Sequence, residues 1–233
     1  PKIFSNHMVL QRDQPITLWG LGTPLELISI HLGPLMEQVK VGKNGKWILD
    51  LAPMSAGGPY VLIVKGRESE LIFENILIGD LWICSGQSNM EWTNDQFHYQ
   101  ETDTTFLKTK IRLFKVSIDM DYLPQEDLKG GTWQLLDEET MGNFSAVSYY
   151  FGKNLSSEID VPIGLINVSL GSSSIEAWMS NDALVKFPQF KEEVNTIVSN
   201  NKSFEELRID FEKGKEKWSK KHYLKDIGLD LKW

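Results

Sequence analysis

The sequence predicts an α/β protein: a small all-β segment, sandwich-like in outline, followed by part of a parallel sheet with crossover helices. Three observations predict it. Turn signals recur about every ten residues over positions 1–78, between short alternating apolar runs. Residues 79–180 alternate strand patterns with a helix pattern, and Gly/Ser-rich loops stand at the carboxyl ends of the strands. Residues 181–233 then turn to charged, helix-period text, with a net charge of +1 against -9 for residues 1–180.

The totals set outer limits. At 233 residues, 41% hydrophobic and 11% aromatic, the chain can build a core for one large or two modest domains. A net charge of -8 argues against a nucleic-acid or anionic-membrane surface, which needs clustered Lys and Arg. No apolar run reaches the length of a membrane-spanning helix. Cys84 is the single cysteine, so neither an internal disulfide framework nor a Cys-based zinc site is available; inside an apolar run it reads as a small core residue. Residue types and spacing imply no metal and no cofactor. Sequons stand at Asn143, Asn154, Asn167 and Asn201, and Asn167 lies in an apolar strand pattern, a poor place for a glycan.

Within 1–78, Ile16, Leu18, Ile28 and Ile30 occupy alternating patterns. Trp47 to Leu51 (WILDL) follows an Asn44-Gly45 turn signal, and Pro59 to Val64 (PYVLIV) follows Gly57-Gly58. His7, Arg12, Asp13 and His31 have no metal-ligand or acid/base spacing, so this segment reads as a rigid support, with sugar binding as the other possibility.

The stretch 79–92, GDLWICSGQSNMEW, opens the second segment. Leu81, Trp82, Ile83 and Cys84 have the pattern of a strand buried on both faces. A polar stretch over 93–105 reads as a loop or short helix, and 111–116 (IRLFKV) as a second strand. A loop then runs to about Asn143, and 144–158 reads as a helix with apolar positions Val147, Tyr150, Phe151 and Leu155. The strand 161–168 (VPIGLINV) ends in Ser169-Leu170-Gly171-Ser172-Ser173-Ser174.

Open α/β sheets place their chemistry just past the carboxyl ends of the strands, where Ser88 stands. There a hydroxyl meets solvent, and its own backbone N–H can face a developing oxyanion. A Ser-Asn pair after a strand also reads as a helix cap. If the two Gly/Ser loops share one sheet edge, Ser88 attacks a carbonyl while N–H groups of Ser88 and of Gly171 or Ser172 hold the oxyanion. Gln87, Asn89 and Glu91 flank the serine as loop or substrate supports, and Glu176 follows the second loop. A glycosidase-type acid pair of Glu91 and Glu176 is the weaker alternative. Trp92 and Trp178 read either as core or as sugar-lining residues.

The string SGQSNMEW resembles the nucleophile block of the sialate O-acetylesterase family, a branch of the SGNH hydrolases. It is not the α/β-hydrolase elbow, because Met90 occupies the position that motif reserves for glycine. HMVLQRD, KWILDL, AGGPYVLIVKG, FSAVSYYFGKNL, VPIGLINVS and the ending IEAWMS extend the resemblance over residues 1–180. Ser172 stands where a second glycine is usual, and Leu170 where a Trp is usual. The resemblance implies an N-terminal β-domain over 1–78 and the first half of an SGNH-type three-layer α/β/α domain over 79–180. For 181–233 it implies a helical, charged insertion or a truncated remainder. It further implies a serine esterase acting on acetylated carbohydrate through an acetyl-Ser88 intermediate, secreted or periplasmic, without a cofactor.

The family's Asp-x-x-His block is not found. Asp95-Gln96-Phe97-His98 has that spacing but lies on the segment leaving the serine turn, and His222 has Ser219, not Asp, three residues before it. The chain therefore reads as the amino-terminal part of a longer esterase. The alternatives are a carbohydrate-binding or structural module, or one half of a two-chain esterase.

Overall fold

The computed structural model describes residues 1–97, 110–121, 123–199, 202 and 204–223; His98, the 98–105 end of the polar stretch and the Asn201 sequon lie outside them. Residue contacts divide the chain into two units, Pro1–Asp119 with Glu126–Ser174, and Met120–Gln125 with the residues from Ile175 onward.

The first unit opens with strands β1 (Val9–Gln11), β2 (Ile16–Leu21), β3 (Leu27–Leu32), β4 (Leu35–Lys40), β5 (Lys46–Leu51) and β6 (Gly57–Lys65). Alternation puts Ile16, Leu18, Ile28, Ile30 and Leu32 inward, as their spacing predicts. β2 and β5 form a two-stranded sheet of their own, and the Asn44-Gly45 turn carries the chain from β4 to β5, strands of different sheets that do not pair. The rest joins a mixed sheet ordered β4-β3-β6-β7-β10-β8-β9, with β1 beside β7.

β7 (Glu70–Gly86) is 17 residues long and was not foreseen at this length. It runs without a break through position 78/79, where the sequence changes from all-β to α/β text. Its first half pairs antiparallel with β6, and its second half pairs parallel with β10 (Ile163–Ser169), from Ile163 beside Asp80 to Ser169 beside Gly86. β10 also lies parallel to β8 (Ile111–Lys115), which makes β7, β10 and β8 a parallel sheet with a helical crossover. Arg12, just past β1, makes a two-pronged ion pair with Asp80 at the junction of the two halves (Nε–Oδ1 2.8 Å, Nη2–Oδ2 3.2 Å).

Two expectations are corrected here. The stretch before Asn143 is not all loop: it holds β9 (Trp133–Leu135), antiparallel to β8, and α2 (Glu138–Gly142), started by a capping box of Asp137 and Thr140. And Leu81 to Cys84 is not buried on both faces, since Trp82 is 42% and Ile83 74% exposed. Successive side chains alternate, so Cys84 packs under α3 (Ala146–Glu158) while Ile83 points to the opposite face.

Of the four apolar positions expected to face inward on α3, Tyr150 and Leu155 pack against the core and Val147 and Phe151 do not. Ala146, Ser148, Tyr149 and Gly152 are buried, whereas Val147 and Phe151 are exposed. The small residues let the helix lie close on the sheet: a Cβ on Gly152 would stand 2.7 Å from Leu165 Cδ1. Phe151 serves instead as an edge-on partner of Trp82, centroids 5.0 Å apart.

Two apolar clusters result. One fills the space between the β2-β5 pair and the mixed sheet and runs on to Phe114 and Trp133; the other, with Cys84, Leu113, Phe144, Tyr149 and Leu165, lies between the parallel strands and α3. The second unit contains α4 (Asn181–Leu184), α5 (Pro188–Ser199) and α6 (Phe204–His222). Val194 and Leu184 are buried in it, while Phe211 and Trp218 of α6 stay exposed.

Candidate active site

β7 ends at Ser85-Gly86, and α1 (Ser88–Glu91) starts after it. Gln87 holds the cap position without a side-chain cap bond, so Ser88 is the first helical residue and its hydroxyl is not used as a cap. The Gln87 carbonyl accepts from Met90 N (2.8 Å) and Glu91 N (3.1 Å), and the Ser88 carbonyl from Trp92 N (3.0 Å). The turn is thereby rigid from its own backbone outward.

Beneath it lies a polar bed. Asn167 and Ser169, both buried on β10, direct Nδ2 (3.4 Å) and Oγ (3.3 Å) to the Met90 carbonyl. Ser169 Oγ also bonds Asn167 Oδ1 at 3.1 Å, and Asn167 Nδ2 reaches the Cys84 carbonyl at 3.3 Å. From α3, Ser148 Oγ meets Met90 Sδ at 3.3 Å and its own capping residue, Ser145, at 2.9 Å. Past α1, the buried Asn94 donates to the Met141 carbonyl (2.9 Å), and Ala146 N to the Trp92 carbonyl (2.9 Å). Each buried polar group here has a partner, as a low-dielectric site requires.

Sequence reasoning passed over Asn167, Ser169, Ser145 and Ser148 as functional supports. The available signal was a polar Asn-x-Ser inside an otherwise apolar strand. The same burial removes Asn167 as a glycan acceptor. Burial also pushes the Cys84 thiol up, against a smaller opposing effect from Ser148, so it is held as a protonated core group.

The second loop does meet the first. A Cβ on Gly171 would stand 3.3 Å from Ser88 Oγ and 2.6 Å from Glu91 Oε2, so a side chain here would displace the Glu91 carboxylate and press on Ser88. The Gly171 N–H, the expected oxyanion donor, donates to Glu91 Oε2 at 2.6 Å. Glu91 thus bridges the two loops. Ser172, in the place where a second glycine is usual, has φ +61°, the left-handed region that glycine occupies without cost. Ser173 Oγ ties the loop back on the Leu170 carbonyl at 2.6 Å.

Gln87 and Asn89 are exposed beside Ser88, and Trp92 lies against Phe97, centroids 5.8 Å apart. Glu176 and Trp178 fall in a short 3-10 helix (Ile175–Trp178) of the second unit. Among the described residues no histidine is bonded to Ser88; His7 Nδ1 meets Asn75 Nδ2 at 2.9 Å. Among the described residues no group of three or more His, Cys, Asp or Glu could hold a metal ion, and no helix is long and apolar enough to cross a membrane.

A family model described as carbohydrate esterase, sialic acid-specific acetylesterase, matches residues 78–209. The chain is 33% identical over 202 residues to the sialate O-acetylesterase of Mus musculus, and 32% identical over 200 residues to that of Homo sapiens. Each alignment covers 77% of this chain, but 37% of the mouse protein and 38% of the human one. A crystal structure of a carbohydrate acetylesterase from Xanthomonas citri superposes with a TM-score of 0.73 at 38% identity, over 79% of this chain and 42% of that one. The chain therefore spans well under half the length of these relatives.

Proposed function

Because the chain belongs to the sialic acid-specific acetylesterase family of carbohydrate esterases, we propose that it carries the nucleophile of a serine esterase that removes O-acetyl groups from sialic acid or another acetylated sugar. The observation that carries this reading is the approach of Gly171 to Ser88 at the carboxyl ends of β7 and β10. Ser88 Oγ adds to the acetyl carbonyl as a base takes its proton, giving a tetrahedral oxyanion. The N–H of Ser88 and that of Gly171 or Ser172 stabilise the negative oxygen. For Gly171 to serve, Glu91 must first release its N–H, so Glu91 moves as substrate enters. Collapse expels the sugar hydroxyl and leaves acetyl-Ser88, which water then hydrolyses to acetate. Gln87, Asn89 and Glu176 are assigned to substrate or loop support.

The base, on this reading, comes from polypeptide that docks against the second half of β7. Residues 80–86 pair with β10 along one edge; no described strand pairs with their other edge, and Ile83 is exposed on the face away from α3. That polypeptide is either a continuation of the same chain or a separate one.

The test is a reactive organophosphonate followed by mass spectrometry. The 233-residue chain is expected to remain unlabelled, with aryl acetate turnover at background. A chain extended through an Asp-x-x-His block, or mixed with one that supplies it, is expected to be labelled at Ser88 and to lose the label in Ser88→Ala. Labelling of Ser88 on the short chain would refute the docking of a base from elsewhere. Labelling of neither form would refute the esterase reading.

A further inference from the structure

The β-rich part of the first unit carries a hollow of about 580 Å³, bordered by none of the residues of the Ser88 turn. Its volume falls in the range of small-ligand sites. Trp19 and Gly20 of β2, Trp47 and Ile48 of β5, and Lys46 and Glu126 form the parts that matter. Trp47 is buried and lies across β2, where a Cβ on Gly20 would come within 2.8 Å of its ring; its Nε1 donates to the Leu21 carbonyl at 3.4 Å. Trp19 is 38% exposed, and Phe4, which does not border the hollow, packs edge-on against it with centroids 4.7 Å apart. Trp19 is therefore held in place by Phe4 while part of its ring surface stays open at the hollow.

The polar groups decide what the hollow would hold. Lys46 Nζ donates to both Glu126 oxygens (2.5 and 2.6 Å), and the bordering side chains Lys40 and Lys46 balance Glu126 and Asp127 in formal charge. These side chains therefore give the hollow no net charge of one sign to select an ion. A purely apolar one would strip water from the Lys46–Glu126 pair without replacing it. A ligand with one flat C–H face and hydroxyls around its rim satisfies both surfaces: the C–H groups lie on the electron-rich indole, and the hydroxyls donate to the carboxylate and accept from the ammonium. Pyranoses with equatorial hydroxyls have that shape.

We propose that the Trp19–Trp47 hollow is a binding site for an uncharged β-linked oligosaccharide, separate from the Ser88 site and independent of any chemistry there. Bound at this place, a polysaccharide chain is kept on the protein while its substituents are presented elsewhere.

The test is titration of the full chain with xylohexaose, cellohexaose and chitohexaose, read by the indole N–H signals of the eight tryptophans. At least one sugar is expected to shift Trp19 and Trp47 saturably. Trp19→Ala is expected to weaken binding at least about fivefold, since it removes the stacking surface. The double variant Lys46→Ala with Glu126→Ala alters only exposed side chains, so it tests the polar half even if Trp19→Ala fails to fold; it is expected to weaken binding about threefold or more. Ser88→Ala is expected to bind as the parent does. Trp19 and Trp47 signals unmoved by all three sugars, or affinity unchanged in the Lys46/Glu126 variant, would overturn the proposal. So would binding that disappears in Ser88→Ala, which would put the sugar at the serine turn.

Discussion

The two halves of β7 are one continuous strand in two different environments. At the end of the first half, Ile76, Leu77 and Ile78 are buried, where the β2-β5 pair covers one face of the mixed sheet, whereas Leu71 and Ile72 at its start are exposed. In the second half, α3 covers the face that bears Cys84, and Ile83 on the other face stays open. Equal apolarity has unequal consequences. Burial follows the number of layers stacked on a strand, not the hydrophobicity of its residues. The Ser88 turn sits at the end of the second half, where polar contacts to the Met90 carbonyl add to the packing of the Met90 side chain on the second apolar cluster.

That contrast can be broken most directly by truncating the same side chain in each half. Ile78→Ala is expected to cost about 2–5 kcal/mol in urea unfolding, because it leaves a cavity between filled layers. Ile83→Ala is expected to stay within about 0.5 kcal/mol. Comparable losses at the two positions would mean that Ile83 is covered in solution.

A smaller effect sharpens the contrast at the far end. Ser172 holds a left-handed backbone beside the serine turn, and Ser172→Gly is expected to raise stability by about 0.5–1 kcal/mol. A stabilised variant with an unchanged Ser88 environment would assign the strain to the loop alone. A loss of stability would mean that the Ser172 side chain makes a compensating contact.

The smallest effect belongs to the well-covered half. His7 packs beside Glu74 and Asn75; burial holds its pKa below the usual 6.5, helped by Arg112 and opposed by Glu74. The unfolded chain takes up a proton on His7 more readily than the folded one does. Its contribution to stability is therefore full above pH 6.5 and shrinks as pH falls through that value towards the lower folded pKa. His7→Asn, a residue that tolerates the positive φ at this site, is expected to flatten the stability profile between pH 7 and 5. An unchanged slope would place the acid sensitivity elsewhere.

Much of this was legible in residue order. Alternation at Ile16, Leu18, Ile28 and Ile30 located the inward face of the β-rich part, and the text after Cys84 marked a serine at the end of a strand. Other features depended on neighbours remote in sequence. Apolar periodicity found Tyr150 and Leu155 of α3, but the fully buried stripe runs through Ser148 and Gly152 because helix and sheet approach closely there, and small or polar residues carry no apolar signal. Asn167 reads as a polar residue out of place in an apolar strand, and its use appears only when β7 is laid beside it and its amide finds the Cys84 and Met90 carbonyls. Glu91 and Gly171 are 80 residues apart, and no local pattern says that one carboxylate would take the other's N–H.

Taken alone, the sequence determined the α/β class, the alternation of the inward strands and the presence of a serine just past the end of a strand, because each depends on residues within a few positions of one another. Tertiary structure decided that β7 joins both parts of the first unit as a single strand, which face of it stays open, and which polar groups support the turn. Those outcomes depend on which layers stack and which edges pair, and such contacts exist only after distant segments have been brought together.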